Sequence, residues 1–567
     1  MASAPTSSGP ALSRQKSSSP PGGGLGWVWL VAPMVVLLAL PVLVVLGQFL
    51  TPSSETWSHL ADTVLWDYVK NSLILTASVG LLSLIFGIAP AWLVAMCDFP
   101  GRRWFEWALL LPLAMPAYII AYTYTGLLDF SGPLQSLIRE WSGWGYGDYW
   151  FPEIRSMGGA IVLMALVLYP YVYMMVRAAF VNQSLCVLEV SRSLGQGPWR
   201  TFYRLALPLA RPAIVAGVSL AMMEALADYG TVQYFGIGTF TTGILRTWYG
   251  FNDLPAAAQL AGVLMIFVIA LLVLERFSRR NARYHHTSRR HQALRRIPLK
   301  GSRAWLATAV CLGLVAAGFL IPAAQLLQWA YKTAAHTLDE AFLGLLWNSL
   351  YLAAITALSA LVLALLFAYA QRLSKRAWVN GAVRMAGMGY AVPGMVIAVG
   401  VLVPFGWFDR TLDDWMRAQF DISTGLLLSG TLFALVFAYL VRFLAVSINA
   451  VESGLSRVTP SMDEAARSLG LGTWGVLGRI HIPLLRGSLL TALLLVFIDV
   501  LKELPATLIL RPFNFNTLAV RTFELAGDER LADASAPALA IVLAGLIPVI
   551  MLSRAITNSR FEEESGA

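Results

Sequence analysis

Cysteine is nearly absent from this 567-residue chain: Cys97, Cys186 and Cys311 are the only three. They are far apart and lie in or beside apolar runs, which excludes a disulfide framework and a thiolate metal site. Histidine is scarce too, with six residues, and His285, His286 and His291 fall in a basic stretch that reads as a solvated loop. No H-E-x-x-H motif, nucleophile elbow or Cys-His set occurs, so the sequence offers no catalytic cluster. No G-x-x-x-x-G-K-[ST] loop occurs either, so the chain cannot hydrolyse ATP by itself. Charge is short as well. Only 13% of residues are charged against 57% hydrophobic, and the mean hydropathy is +0.66. Such a chain needs lipid as its solvent.

What the chain has instead is long apolar runs. A bilayer core takes about 20 apolar residues per helix. Twelve stretches are long enough or nearly so, at roughly 27–50, 71–97, 107–128, 157–176, 212–227, 254–274, 304–330, 345–371, 385–408, 422–441, 487–503 and 534–553. An even number of crossings puts both termini on one side. Lys and Arg are retained in cytoplasmic loops, and their distribution puts that side in the cytoplasm. The steepest contribution comes from the 278–303 linker, with Arg279, Arg280, Arg289, Arg290, Arg295 and Arg296. Between two apolar spans such a run reads as a topology signal, with no nucleic-acid partner required. Residues 1–26 are rich in Ser, Pro and Gly and read as a disordered cytoplasmic tail, as does 556–567 at the other end.

An internal repeat organises the rest, dividing the chain into 27–277 and 304–555 around the linker. Asn71-Ser72-Leu73 recurs as Asn348-Ser349-Leu350, and Met115-Pro116 aligns with Val392-Pro393, both at an offset of 277. At an offset of 275, Glu189, Arg192-Ser193-Leu194-Gly195, Trp199, Pro208 and Arg211 match Glu464, Arg467-Ser468-Leu469-Gly470, Trp474, Pro483 and Arg486. Six spans per half make these parallel repeats related by an axis along the membrane normal. The expected fold is an all-α membrane protein of about twelve transmembrane helices in two six-helix repeats.

In each half the matched block lies in a loop between the fourth and fifth spans. In the second half, Ser461 and Glu464 read as a capping box opening a short helix, and Gly470 suits the left-handed position that closes it. Pro483 fits the first turn of the next helix. Ala465 and Ala466 give that short helix a small-residue surface that a groove on a partner can receive. The alternative is a capped interhelical turn with no partner, which leaves the duplication unexplained.

Glu464-Ala465-Ala466, Gly470 six residues after the Glu, and Ile482-Pro483 further on resemble the cytoplasmic signature of binding-protein-dependent importer permeases. The resemblance implies a type I importer permease fold, a coupling helix at Glu464, Ala465, Ala466 and Gly470, and docking on a separate cytoplasmic ATPase, two copies per chain. It also implies a periplasmic binding protein as partner. The first half departs from the pattern: Glu189-Val190-Ser191 replaces Glu-Ala-Ala and Cys186 replaces the capping Ser, although Gly195 and Leu207-Pro208 remain.

Over nearly the whole chain the sequence resembles the fused ferric-iron permeases of bacterial inner membranes. The resemblance is carried by Met223-Glu224-Ala225-Leu226-Ala227-Asp228-Tyr229-Gly230-Thr231, by Thr239 to Trp248, and by Asp499-Val500-Leu501-Lys502-Glu503-Leu504-Pro505 with Arg511-Pro512-Phe513. It implies ferric iron as transported cargo and no permanently bound cofactor. Sister families of this architecture carry thiamine, polyamines, sulfate or phosphonates. The residues themselves point to a hard cation. Glu224 and Asp228, and their repeat mates Asp499 and Glu503, are pairs four apart, which on a helix share one face. Four carboxylates facing one axis suit a hard metal ion. The plainer alternative is that they sit at helix ends, solvated or paired with Lys502, Arg246 or Arg521. A secondary transporter could also have twelve spans in two halves, but would not explain the duplicated loop.

Overall fold

In the computed structural model, residues 23–52, 54–145, 147–181, 197–280, 296–374 and 376–565 are described, and most are helical. The first half comprises α1 (Gly23–Gly47), α2 (Leu65–Met96), α3 (Arg102–Ala114), α4 (Ala117–Ser142), α5 (Met157–Val181), α6 (Phe202–Ala227) and α7 (Leu254–Arg280). The second comprises α8 (Ser302–Thr337), α9 (Glu340–Leu373), α10 (Gly394–Phe420), α11 (Leu432–Leu455), α12 (Pro460–Ser468), α13 (Thr473–Leu501) and α14 (Ser535–Ser565). Shorter helices join them.

Among the described residues, ten helices are long and apolar enough to cross a bilayer, and the α3–α4 pair, bent by 92°, makes an eleventh if it counts as one span. The twelfth expected stretch is a 17-residue apolar helix, Ser535–Met551, within α14. Ten or eleven spans and this shorter helix agree with the expected all-α fold of about twelve transmembrane helices. The bend falls at Met115-Pro116, where Met115 is extended (φ −100, ψ 109) because the proline ring forces its predecessor out of the helical region. Val392-Pro393 does the same in the second half, with Val392 at φ −84, ψ 127. The repeat motif therefore marks a pair of matched helix breaks.

Other boundaries moved for identifiable reasons. The span expected at 422–441 starts at Leu432. Gly425 and Gly430 have positive φ, and Asp409 accepts hydrogen bonds from the backbone N–H groups of Leu427, Leu428 and Ser429, which fixes 422–431 as an ordered loop. α6 and α13 start well before the expected 212 and 487. Each runs through a π turn, Phe202–Ala206 or Leu477–His481, with a proline two residues beyond it. Proline offers no N–H to the preceding turn, and the wider π turn absorbs the gap. Pro483 thus lies inside α13 and does not open a helix. A third π turn, Ala316–Leu320, precedes Pro322 in α8 in the same way.

Within each half the main bundle is α2, α5 and α6, or α9, α11 and α13. Close approach needs small residues: a methyl group at Gly87 or Gly217 would stand 2.6 Å or 2.8 Å from atoms of Val172 on α5. The outer helices are exchanged between halves. α1 and α7 pack with the second-half core around Met395, Leu435 and Val496. Reciprocally, α8 and α14 pack with the first-half core around Val79, Tyr122 and Val172, through Cys311, Val315, Ile541 and Val542. A short parallel pairing of Cys97–Asp98 with Ile297–Pro298 ties the end of the linker to the end of α2.

Candidate functional site

The repeat-mate carboxylates sit where α6 and α13 stop. α6 ends at Ala227, and Asp228 already has extended ψ (136). α13 ends at Leu501, so Glu503 also lies past its helix. Asp228 and Glu503 therefore do not share a helix face with Glu224 and Asp499, and that expectation is corrected. Each instead caps the short helix that follows. Asp228 accepts hydrogen bonds from Thr231 N (3.0 Å), Val232 N (3.2 Å) and the Thr231 hydroxyl (3.1 Å), ahead of Gly230–Tyr234. Glu503 accepts from Ala506 N (3.1 Å), ahead of Pro505–Leu510. Free N–H groups at a helix start attract such acceptors. The Asn-Ser repeats hold the segments that return from these breaks. Asn71 and Asn348 donate to the carbonyls of Gly238 and Asn516, while Ser72 and Ser349 accept from Phe240 N and Leu518 N.

All four carboxylates nevertheless line one cavity of about 130 Å³ between the halves. They do not stand there alone. Lys502 lies 2.9 Å from Asp499, and Arg442 lies 3.2 Å from Glu503. Glu224 has no hydrogen-bond or ion-pair partner among the described residues, although the charges of Arg442 and Lys502 reach it. Tyr118, Tyr171, Tyr229 and Tyr390 add four phenols to the lining. The buried Tyr118 hydroxyl has no hydrogen-bond partner among the described residues. Four anions against two cations leave the cavity net negative. Among the described residues no group of three or more His, Cys, Asp and Glu side chains is placed to hold a metal ion. The cavity is acidic and phenol-lined.

The second-half repeat motif forms α12. Thr459 is its N-cap and Pro460 its first residue, so the expected capping box at Ser461 is not made; Ser461 instead hydrogen-bonds the Thr459 hydroxyl. Gly470 is left-handed (φ +84), as expected, and closes the helix. Its N–H bonds the Arg467 carbonyl and that of Leu471 bonds Ala466, the paired pattern of a Schellman motif. Glu464 and Ala465 are exposed, whereas Ala466 is buried, so only part of the small-residue surface is available to a partner. On the inner side, Asp463 accepts from Arg372 Nε (2.8 Å) and lies 2.8 Å from His481 Nε2. Burial alone raises the Asp463 pKa, but the hydrogen bonds and charges of Arg372 and His481 outweigh it and hold the carboxyl below its usual range. The first-half motif, with Glu189 and Gly195, lies outside the described residues.

Residues 83–282 and again 360–562 match the family of binding-protein-dependent transport system inner membrane components. The chain belongs to that family. The permease is 25% identical to the Fe(3+)-transport system permease protein FbpB 2 of Haemophilus influenzae over 544 residues, which is 93% of this chain and 98% of that protein. It is also 29% identical to the molybdenum transport system permease protein ModB of Escherichia coli over 211 residues, covering 37% of this chain and 89% of the relative. A probable sulfate transport system permease protein, cysT of Chlorokybus atmophyticus, is 28% identical over 209 residues, 36% of the chain and 70% of the relative. The permease is therefore a transporter component of the inner membrane, and its family works with a binding protein.

Sequence reasoning missed Arg442 and the four tyrosines as cavity residues. Arg442 had a signal: it is the one charge in the apolar run from Leu432 to Ala450, and such a residue marks a partner or a pathway. The tyrosines had none, since they come from different elements and the sequence does not say which meet. Both cations belong to the second half. At an offset of 275 their first-half mates are Val167 and Ala227.

Proposed function

We propose that this permease carries ferric iron from a periplasmic iron-binding protein to the cytoplasm, driven by two copies of a cytoplasmic ATPase, one docked on each half, with both termini cytoplasmic. The observation that carries the reading is the full-length similarity, both halves included, to a protein named as an Fe(3+)-transport permease, taken with the acidic cavity between the halves. A trivalent ion loses much hydration energy on entering a low-dielectric space, and anionic and phenolic oxygens are the donors that hard cations accept in place of water. Glu224, Asp228, Asp499 and Glu503 are the proposed path residues. Their partial neutralisation by Lys502 and Arg442 suits a path, because cargo must be held well enough to enter and loosely enough to leave. The cavity is smaller than the roughly 300–1,000 Å³ of sites for drug-sized ligands, which favours an ion over thiamine or a polyamine. Glu189, Gly195, Glu464, Ala465, Ala466 and Gly470 are the proposed coupling residues.

Oxyanion transport is the second reading, favoured by the molybdenum and sulfate relatives and by the two cavity cations. Uptake by cells expressing the permease with its ATPase and binding protein separates them. Radiolabelled ferric iron should accumulate, with molybdate and sulfate uptake at background. Molybdate or sulfate accumulation without iron would overturn the ferric reading and leave the importer. ATP hydrolysis by the purified chain alone would overturn the importer itself.

A further inference from the structure

The inner face of α12 carries contacts that neither the cavity nor partner docking uses. Arg372, at the end of α9, reaches three ways: Nε to Asp463 of α12 at 2.8 Å, Nη1 to the Leu455 carbonyl at 3.1 Å, and Nη2 to the Val458 carbonyl at 3.0 Å. One guanidinium thus ties α9 to the end of α11 and to α12. Asp463 meets His481 through its other oxygen, and His481 lies in the π turn of α13 with its side chain fully buried. Tyr369 of α9 packs edge-on against the His481 ring, with centroids 5.5 Å apart, and donates to the Thr473 carbonyl. A guanidinium held by one carboxylate and two carbonyls fixes orientation as well as position.

His481 and Asp499 lie on the same helix, α13, 18 residues apart, or about 27 Å at 1.5 Å per residue. The far end of α13 carries Asp499 into the cavity. A displacement of α12 therefore has a rigid route to the cavity wall.

The first-half mates of these three residues are of different types. The repeat mate of Arg372 at the 277 offset is Ala95, and those of Asp463 and His481 at the 275 offset are Leu188 and Ala206. None of these can form an ion pair. The π turns themselves correspond residue for residue, Phe202–Ala206 with Leu477–His481, so the helix irregularity is shared while these three side chains are not.

We propose that Arg372, Asp463 and His481 form the joint that converts movement of α12 into movement of α9 and α13. The three are positioning residues. They touch neither cargo nor nucleotide and act by orienting the helix that the ATPase grips. The proposal rests on reading α12 as the ATPase-docking helix.

The test uses the full complex, permease with ATPase subunit and binding protein, in proteoliposomes, and reads cargo imported per ATP hydrolysed. Asp463→Asn is isosteric but removes the charge that Arg372 grips. It should lower the ratio at least tenfold while the ATPase subunit still co-purifies, and Asp463→Glu, which keeps the charge, should restore most of it. An unchanged ratio in Asp463→Asn or no recovery in Asp463→Glu would overturn the joint. Failure of the wild-type chain to bind the ATPase would instead overturn the docking reading beneath it.

Discussion

Arg442 and Glu224 occupy one cavity yet differ in what surrounds them, and substitutions should separate structure from transport. Arg442 is paired with Glu503, whose side chain is only 5% exposed. Removing one partner of a buried pair leaves the other charge uncompensated, at a cost of ~3–5 kcal/mol. Arg442→Ala should therefore lower the thermal unfolding midpoint of the detergent-solubilised permease, and adding Glu503→Gln should recover much of the loss. Glu224 has no partner among the described residues, so Glu224→Gln should leave the midpoint unchanged and reduce cargo uptake about tenfold. A large stability loss in Glu224→Gln would contradict its role as an open path residue. These outcomes bear on what the sequence disclosed. The doubled carboxylates were legible because they recur at one offset. Their ion pairs were partly legible, since Lys502 is a near neighbour in the chain, but Arg442 reaches Glu503 from 61 residues away. The end of each helix one residue or two before Asp228 and Glu503 was hidden, because an apolar run gives no notice that its last carboxylate has become a cap.

At the scale of elements, α12 was the most legible part of the chain, and Gly470 is its sharpest point. Its φ of +84 lies where a β-branched residue is strained, at a cost of roughly 1–3 kcal/mol. Space around it is open, so the strain would act on the backbone and not on neighbouring packing. Gly470→Val should leave the permease inserted and assembled but cut cargo-driven ATP hydrolysis several-fold; a normal rate would remove Gly470 from coupling. The capping box was misread because Thr459 precedes Pro460, and a proline at the first position sets the helix start ahead of Ser461. The helix ends of α6 and α13 were misread for a related reason. A proline counts as a start signal in a sequence, yet a π turn lets the helix pass through it, and a π turn leaves no mark on the apolar pattern.

At the scale of the molecule, two-fold repetition was read directly from the offsets, but the exchange of outer helices was not, because a parallel repeat is equally compatible with two self-contained halves. The exchange means neither half owns its core. A chain divided within 281–295 should yield two fragments that are each degraded when expressed alone, and that co-purify and restore transport when expressed together. A stable, monodisperse first half by itself would contradict the exchanged cores. The same feature sets a clock on biogenesis. α1 packs against α10, and nearly 350 residues of chain separate Gly47 from Gly394. At ~5–20 residues per second, ribosomes take roughly 20–70 s to cover that distance. During that interval α1 is in the bilayer with its final neighbour not yet made, and a ribosome that stalls before α10 leaves an orphan helix that membrane proteases can recognise. Completion of the second half is thus what first gives α1 the surface it packs against.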